Sequence, residues 1–210
     1  EGETEPFATP AFLVDADGDN ERRLTYGRRT SAPTFGPDGE QLAFVATDGG
    51  TANVYVRHLE TGRTTRATSY AGDVQITGLQ WHPSRDTLAI ARVSAEGGRQ
   101  LVLHDLETST ATALTDPATD DRRPVWRPDG RRLAYTSLRD GVPNAFVYDG
   151  DAGTHRRTTH LVRGATVHDW IPPLVPTLPW RTARRSSPPR PSPNGRTAPF
   201  TFLRDAQRGL

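Results

Sequence analysis

One motif occurs three times in this chain at nearly constant spacing. Phe35-Gly-Pro-Asp-Gly is followed by Leu42-Ala-Phe, Trp81-His-Pro-Ser-Arg-Asp by Leu88-Ala-Ile, and Trp126-Arg-Pro-Asp-Gly by Leu133-Ala-Tyr. The aromatic residues stand 46 and 45 positions apart. A second apolar run follows in each unit, at 54–62, 101–109 and 145–153, and then a Thr-rich, half-polar run. Those last runs end at Thr68, Thr115 and Thr159, spaced 47 and 44. A register that persists through the whole unit is a structural repeat, and a repeat constrains the architecture before any single residue does.

Each unit reads as four short strands. The first ends on the aromatic residue, a P-D-G turn whose glycine supplies positive φ reverses the chain, and L-A-[FIY] forms the second strand. A Gly-rich loop such as Asp48-Gly-Gly or Glu96-Gly-Gly leads to the third. An E-T-G or D-A-G turn then returns the chain as a fourth strand, polar on both sides as an exposed edge should be. Four antiparallel strands every 40 to 50 residues, with no helix-period segment competing, is the pattern of β-propeller blades.

The pattern [FW]-x-P-D-G-x-x-L-A-[FY] resembles the WD-like repeats of TolB-type propellers and of the propeller that caps prolyl oligopeptidase-type serine peptidases. The resemblance covers about residues 11–172. Its motif residues build the blade, so the likeness implies an all-β, partial β-propeller and carries no functional residue with it. The expected organisation is an N-terminal extension over 1–10, a half blade over 11–25, blades over 31–68, 74–115 and 121–159, and the start of another at 165–172. The half blade matches only the third and fourth strands of a unit, with Thr25 lying 43 before Thr68. In the last piece Trp170 stands 44 after Trp126.

Composition separates the repeats from the C-terminal stretch. Of 210 residues, 26 are basic, all of them Arg, and Lys, Cys and Met are missing, which removes disulfides, Cys-bearing zinc sites and catalytic thiols or lysines. Residues 1–172 hold 19 Arg against 24 Asp and Glu, a net of −5, whereas 173–210 hold 7 Arg against Asp205, a net of +6. The last 38 residues also carry 8 of the 18 Pro, without period. This basic Pro/Arg/Ser-rich tail, with Arg184, Arg185, Arg190 and Arg196, is expected to be irregular and out of register, through a frame change or a fused tail. Its charge would attract any polyanion without making a dedicated nucleic-acid site. The chain opens on Glu1 without Met, as expected of a processed product or a fragment. No apolar run approaches the roughly 18 to 20 residues of a spanning helix. Unpaired strands at the two ends of an open arc are expected to template association.

Candidate chemistry is sparse. Asp15-Ala-Asp17-Gly-Asp19-Asn20-Glu21 invites a calcium reading, but an EF-hand loop from Asp15 would need Gly and Glu where Asn20 and Tyr26 stand, so a hairpin turn is expected. The six His, at 58, 82, 104, 155, 160 and 168, lack metal-site spacing. Surface or turn roles are expected for His82 and His104, and solvated charge for His155 and His160 beside Arg156 and Arg157. No G-x-S-x-G nucleophile elbow is present. Phe35, Trp81, Trp126 and Trp170, one per unit, are expected to pack between neighbouring blades. No catalytic, cofactor or metal residue is assigned and no cofactor is expected.

The resemblance implies a non-catalytic interaction scaffold that meets protein partners or peptides through its blade loops or central channel, in the periplasm or otherwise outside the cytoplasm. Its alternative is the gating propeller of a prolyl oligopeptidase-type peptidase, a cytoplasmic setting in which the catalytic domain lies outside this chain.

Overall fold

The computed structural model describes residues 9–93, 97–170 and 201–204. Three four-stranded antiparallel sheets follow one another along the chain. The first is β3 (Arg29–Phe35), β4 (Gln41–Asp48), β5 (Thr51–His58) and β6 (Thr64–Arg66). The second is β7 (Gln75–Trp81), β8 (Thr87–Val93), β9 (Arg99–Asp105) and β10 (Ala111–Ala113). The third is β11 (Asp121–Trp126), β12 (Arg132–Ser137), β13 (Asn144–Asp149) and β14 (Thr154–Arg157). Ahead of them, β1 (Phe12–Asp15) and β2 (Arg22–Arg23) form the antiparallel pair expected of a half blade. A single-turn 3-10 helix, Pro117–Thr119, precedes β11.

The L-A-[FIY] motif is a packing instruction. Successive strand residues point to opposite faces, and here the faces belong to different junctions. Leu42 and Phe44 pack with Leu13 and Leu24 of the half blade, while Ala43 and Val45 join Trp81 and Ile90 of the next sheet. Leu88 and Ile90 likewise face back, and Ala89 and Ala91 face forward into the cluster holding Trp126 and Tyr135. The third sheet repeats this, with Ala134 and Val125 packed against Val167 and Trp170. The alanine is small because the next blade's aromatic residue occupies the space in front of it. Trp81 and Trp126 are 4% and 8% exposed, so the expected inter-blade role of the aromatic series is what the structure shows.

Polar contacts fix the same junctions. The Trp81 N–H donates to Thr34 Oγ1 at 3.2 Å, and the Trp126 N–H to Gln80 Oε1 at 2.7 Å. Segment 165–170 carries no strand, yet it docks where the next first strand belongs: the Val167 N–H donates to Thr136 Oγ1 at 2.9 Å, and Trp170 Nε1 to the Val125 carbonyl at 2.8 Å.

The threonines that marked the register close each blade. Thr25, Thr68, Thr115 and Thr159 accept from the N–H groups of Ala11, Val54, Leu101 and Ala145, always 14 residues earlier, at 2.8–2.9 Å. In two blades the same hydroxyl donates to an asparagine, Thr68 to Asn53 and Thr159 to Asn144, each at 2.9 Å. An arginine two residues before the threonine, Arg23, Arg66 or Arg157, donates from Nε to the threonine carbonyl at 2.7–2.8 Å. Each clasp ties the start of the third strand to the end of the fourth, whose own residues in β6 and β10 are wholly exposed.

The turns follow the sequence reading with one exception. Gly39 and Gly130 both have φ of 71°, the left-handed value the P-D-G turn demands. In the second unit Arg85 stands at that position and is not left-handed, and a tighter Thr87 N–H to Arg85 carbonyl bond of 2.8 Å closes the turn. The tail also departs from expectation at four residues: β15 (Thr201–Arg204) pairs parallel with β1, Phe12 opposite Thr201. The rest of the tail, 173–200 and 205–210, lies outside the described residues, as do residues 1–8 of the N-terminal extension over 1–10.

Two consequences can be measured by urea unfolding. Trp126→Ala should cost about 3–5 kcal/mol by leaving a cavity over Ala89, and Ala89→Leu about 1–3 kcal/mol by overfilling the same space. Thr68→Val, which strands the Val54 N–H and leaves Asn53 Oδ1 with the Tyr70 N–H as its one remaining donor, should cost about 1–3 kcal/mol and more than Thr115→Val, which strands only the Leu101 N–H.

Candidate functional site

Every blade has two unlike ends. First and third strands begin, and second and fourth strands finish, at the end carrying the longer connections 67–74, 114–120 and 158–164. Among the described residues the opposite end carries the tight P-D-G and E-T-G turns and their counterparts in the other units. Surfaces that can vary without disturbing blade packing therefore gather at the loop end and on the innermost strands β3, β7 and β11.

The richest side-chain cluster lies there, where β11 starts. Asp120, with φ of 46°, bonds Arg99 at 2.8 Å and Arg122 at 2.7 Å through its two oxygens. Asp121, fully buried, accepts from Thr119 Oγ1 at 2.5 Å through Oδ2, which also lies 3.5 Å from Arg139 Nη2. The same Arg139 nitrogen donates to Tyr135 Oη at 2.9 Å, and Tyr135 Oη meets His155 Nδ1 at 2.9 Å. A continuous polar chain thus runs from Thr119 to the outer strand between the second and third blades. Burial pushes the Tyr135 hydroxyl up to about 12 against the pull of Arg139, so it is not a ready proton donor or base. Arg123, with φ of 54° in the bulge of β11, is exposed, and its guanidinium meets His168 Nδ1 at 3.4 Å.

Two of the histidine expectations are corrected. His82 is 3% exposed: its Nε2 lies 3.0 Å from the Gly130 carbonyl, and its ring sits edge-on to Trp126. A Cβ on Gly130 would lie 2.4 Å from that ring, so the glycine of one turn makes room for the histidine of the preceding turn. His104 is 5% exposed, and neither ring nitrogen has a hydrogen bond, although the Ala67 carbonyl lies near enough to offset part of the burial. The neutral ring is favoured in both by desolvation, which holds their pKa below the ordinary value. His155 is exposed as expected, but its ring packs on Tyr148 and bonds Tyr135 rather than standing free in solvent. His160 and His168 are exposed.

The Asp15–Glu21 run is a hairpin turn between β1 and β2, with Gly18 and Asn20 left-handed and Asn20 Nδ2 donating to Asp15 Oδ2 at 2.7 Å. Among the described residues no three His, Asp or Glu side chains converge as a metal-ion cage. Clefts open between blades. One, of about 330 Å³, separates the half blade from the first full blade and is lined by Tyr26, Arg28, Phe44 and Tyr55, with the Arg28 guanidinium 4.8 Å above the Tyr55 ring. Another, of about 430 Å³, lies over Arg66, Asp86 and Glu107.

The cluster around Asp120 and Asp121 was not foreseen from sequence. Its signal is the run Asp120-Asp121-Arg122-Arg123 at the start of the third first-strand, where the earlier units have Arg29-Thr30 and Gln75-Ile76.

Successive four-stranded antiparallel blades, packed through one aromatic residue each, define a β-propeller segment. Residues 8–172 match the family described as TolB beta propeller domain, and the chain belongs to that family. It is 35% identical over 129 residues to a protein TolB homolog of Chlorobium chlorochromatii, covering 61% of this chain and 28% of that protein. It is also 30% identical over 116 residues to the uncharacterized peptidase YuxL of Bacillus subtilis, covering 52% of this chain and 17% of that one. The crystal structure of TolB from Acinetobacter baumannii superposes with a TM-score of 0.65 at 23% identity, over 76% of this chain and 40% of that one. The chain therefore spans less than a third of the length of these two curated relatives.

Stability should depend on pH through the two buried rings. Because their folded pKa lies below the unfolded value of 6.5, the unfolded chain takes up protons first, so stability is complete above that value and falls as pH drops below it. The urea midpoint should fall between about pH 7.5 and 5.5, and His104→Leu should flatten the decline. An unchanged slope in that variant would show that His104 does not contribute to it.

Proposed function

We propose that this propeller segment is a non-catalytic protein-interaction module that engages a protein partner through its loop end and innermost strands, outside the cytoplasm as in envelope proteins of the TolB type. The observation that carries the reading is where the motif residues go. The repeated aromatic, alanine and threonine side chains are spent on blade junctions and clasps, and the unrepeated polar chemistry gathers at one end. A surface of that kind can be specialised for a partner without altering the blade. Family membership supports the same reading.

The similarity to the YuxL peptidase favours one second reading, in which the segment belongs to a propeller that filters peptides toward a separate hydrolase domain. No G-x-S-x-G elbow exists in this sequence, so catalysis would require residues outside it.

The two are separated by placing a photo-cross-linking amino acid at loop-end positions Asp73 and Asp140 and, as a control, at Thr112 on an outer strand, in the native protein within its own host. One defined protein captured from the loop-end positions and not from Thr112 is expected. Equal labelling from all three positions, or turnover of peptidyl-chromophore substrates by the native protein, would overturn the proposal in favour of the second reading.

A further inference from the structure

The innermost strands are charged against the trend of the repeats. Residues 1–172 are net acidic by five, yet β3, β7 and β11 together carry Arg29, Arg122 and Arg123 and a single carboxylate, Asp121, which is fully buried beneath Arg139. Arg29 and Arg123 are exposed, and neither has a carboxylate within ion-pair distance among the described residues. Exposed Arg163, in the loop that leads to segment 165–170, is also without one among those residues. Arg99 and Arg122 are paired but share the single carboxylate of Asp120, and the Nε atom of each is buried with no acceptor. Guanidinium donors thus outnumber acceptors at the loop end of the inner strands.

Apart from Asp120 and the buried Asp121, the acidic side chains at this end sit away from the inner strands. Asp48, at the end of β4, and Asp73, Asp116 and Asp140, in the outlying connections, are exposed, and one further exposed carboxylate, Asp169, lies beside Trp170 in segment 165–170. The pattern is a basic centre within a surround that is mainly acidic, with Arg28 and Arg163 among its exposed basic members. Such a field draws a carboxylate-bearing chain toward the axis and disfavours its binding across the outer loops. An extended polyphosphate, charged at every residue, would meet the acidic surround as well as the centre.

We infer that the segment of the partner protein held by this propeller is acidic, and that its carboxylates are received by Arg29, Arg122, Arg123 and Arg163 at the loop end of the innermost strands. This rests on the interaction reading above. Arg123 is the best-placed member: the left-handed bulge turns its guanidinium out of the ladder, where it meets His168 and no carboxylate among the described residues. Left-handed backbone at a residue that is neither Gly nor Asn is strain the surrounding fold must hold.

The probe is a ten-residue Asp/Glu peptide bearing a terminal diazirine, with a ten-residue Arg peptide and a ten-nucleotide single-stranded DNA of the same design as comparisons, all on the full chain. Cross-links mapped by mass spectrometry should fall at 28–31, 120–123 and 161–168 for the acidic peptide. Arg123→Asn removes the charge while suiting a left-handed backbone, and with Arg29→Gln it should reduce those cross-links about tenfold. Arg156→Gln on the outer strand should leave them unchanged. Unchanged thermal unfolding of each variant shows that it folds. Cross-links confined to residues 173–210, equal yields from the DNA or Arg probe, or insensitivity to Arg123→Asn with Arg29→Gln would each overturn the inference. Partner capture at Asp73 and Asp140 that persists despite one of those results would leave the interaction reading standing and only the acidic partner lost.

Discussion

The structure depends on one contact made again at each junction: the aromatic residue ending one blade's first strand packs into a cluster with the alanine of the preceding blade's second strand. Trp81 shares its cluster with Ala43, Trp126 with Ala89, and Trp170 with Ala134. Apolar burial of this kind, with the indole as its largest member, is what holds a pair of sheets together, since the sheets exchange few backbone hydrogen bonds across the junction. It also sets the direction of the arc. Large residues of the second strand face backward and small ones forward, so each blade is a plug on one side and a socket on the other.

Blade edges are handled differently. The outer strands are only two to four residues long and almost entirely exposed, which would leave them to fray. A threonine hydroxyl bonded to the start of the third strand holds the returning chain, and in three of the four cases an arginine caps the threonine carbonyl. In the second blade Ala113 stands in place of that arginine, and the clasp there is the threonine bond alone. The division of labour is clear: apolar area holds blades to one another, and polar bonds hold each blade to itself.

Most of the fold was legible because it is repeated. Spacing alone set the number and order of strands, the aromatic junctions, the left-handed turn glycines and the half blade. What was missed occurs once or depends on a neighbour. His82 reads as a turn residue, and only the missing Cβ of Gly130, 48 positions later, makes its pocket. His104 reads as a strand-end polar residue and is buried by the adjoining blade near Ala67. The threonines were visible as register marks but not as clasps, because their partner lies across a hairpin. Asp120 to Arg123 broke the repeat in plain view. Their significance lies in Arg99, which opens β9, and Arg139, from the connection after β12, standing beside them.

The clasp has a further consequence for how such a chain can be edited over time. The aromatic residue precedes the second-strand leucine by seven positions in all three units, and the clasped N–H precedes its threonine by 14 in all four. Both intervals span turns at the same end. From leucine to clasped N–H the count is 12, 13 and 12, and from threonine to the next aromatic residue it is 10, 13, 11 and 11. All the drift in length between copies is therefore confined to the opposite end. One face of the molecule is written in fixed metre and the other in free verse, and only the second can lengthen, shorten and diverge while the blades beneath it stay in step.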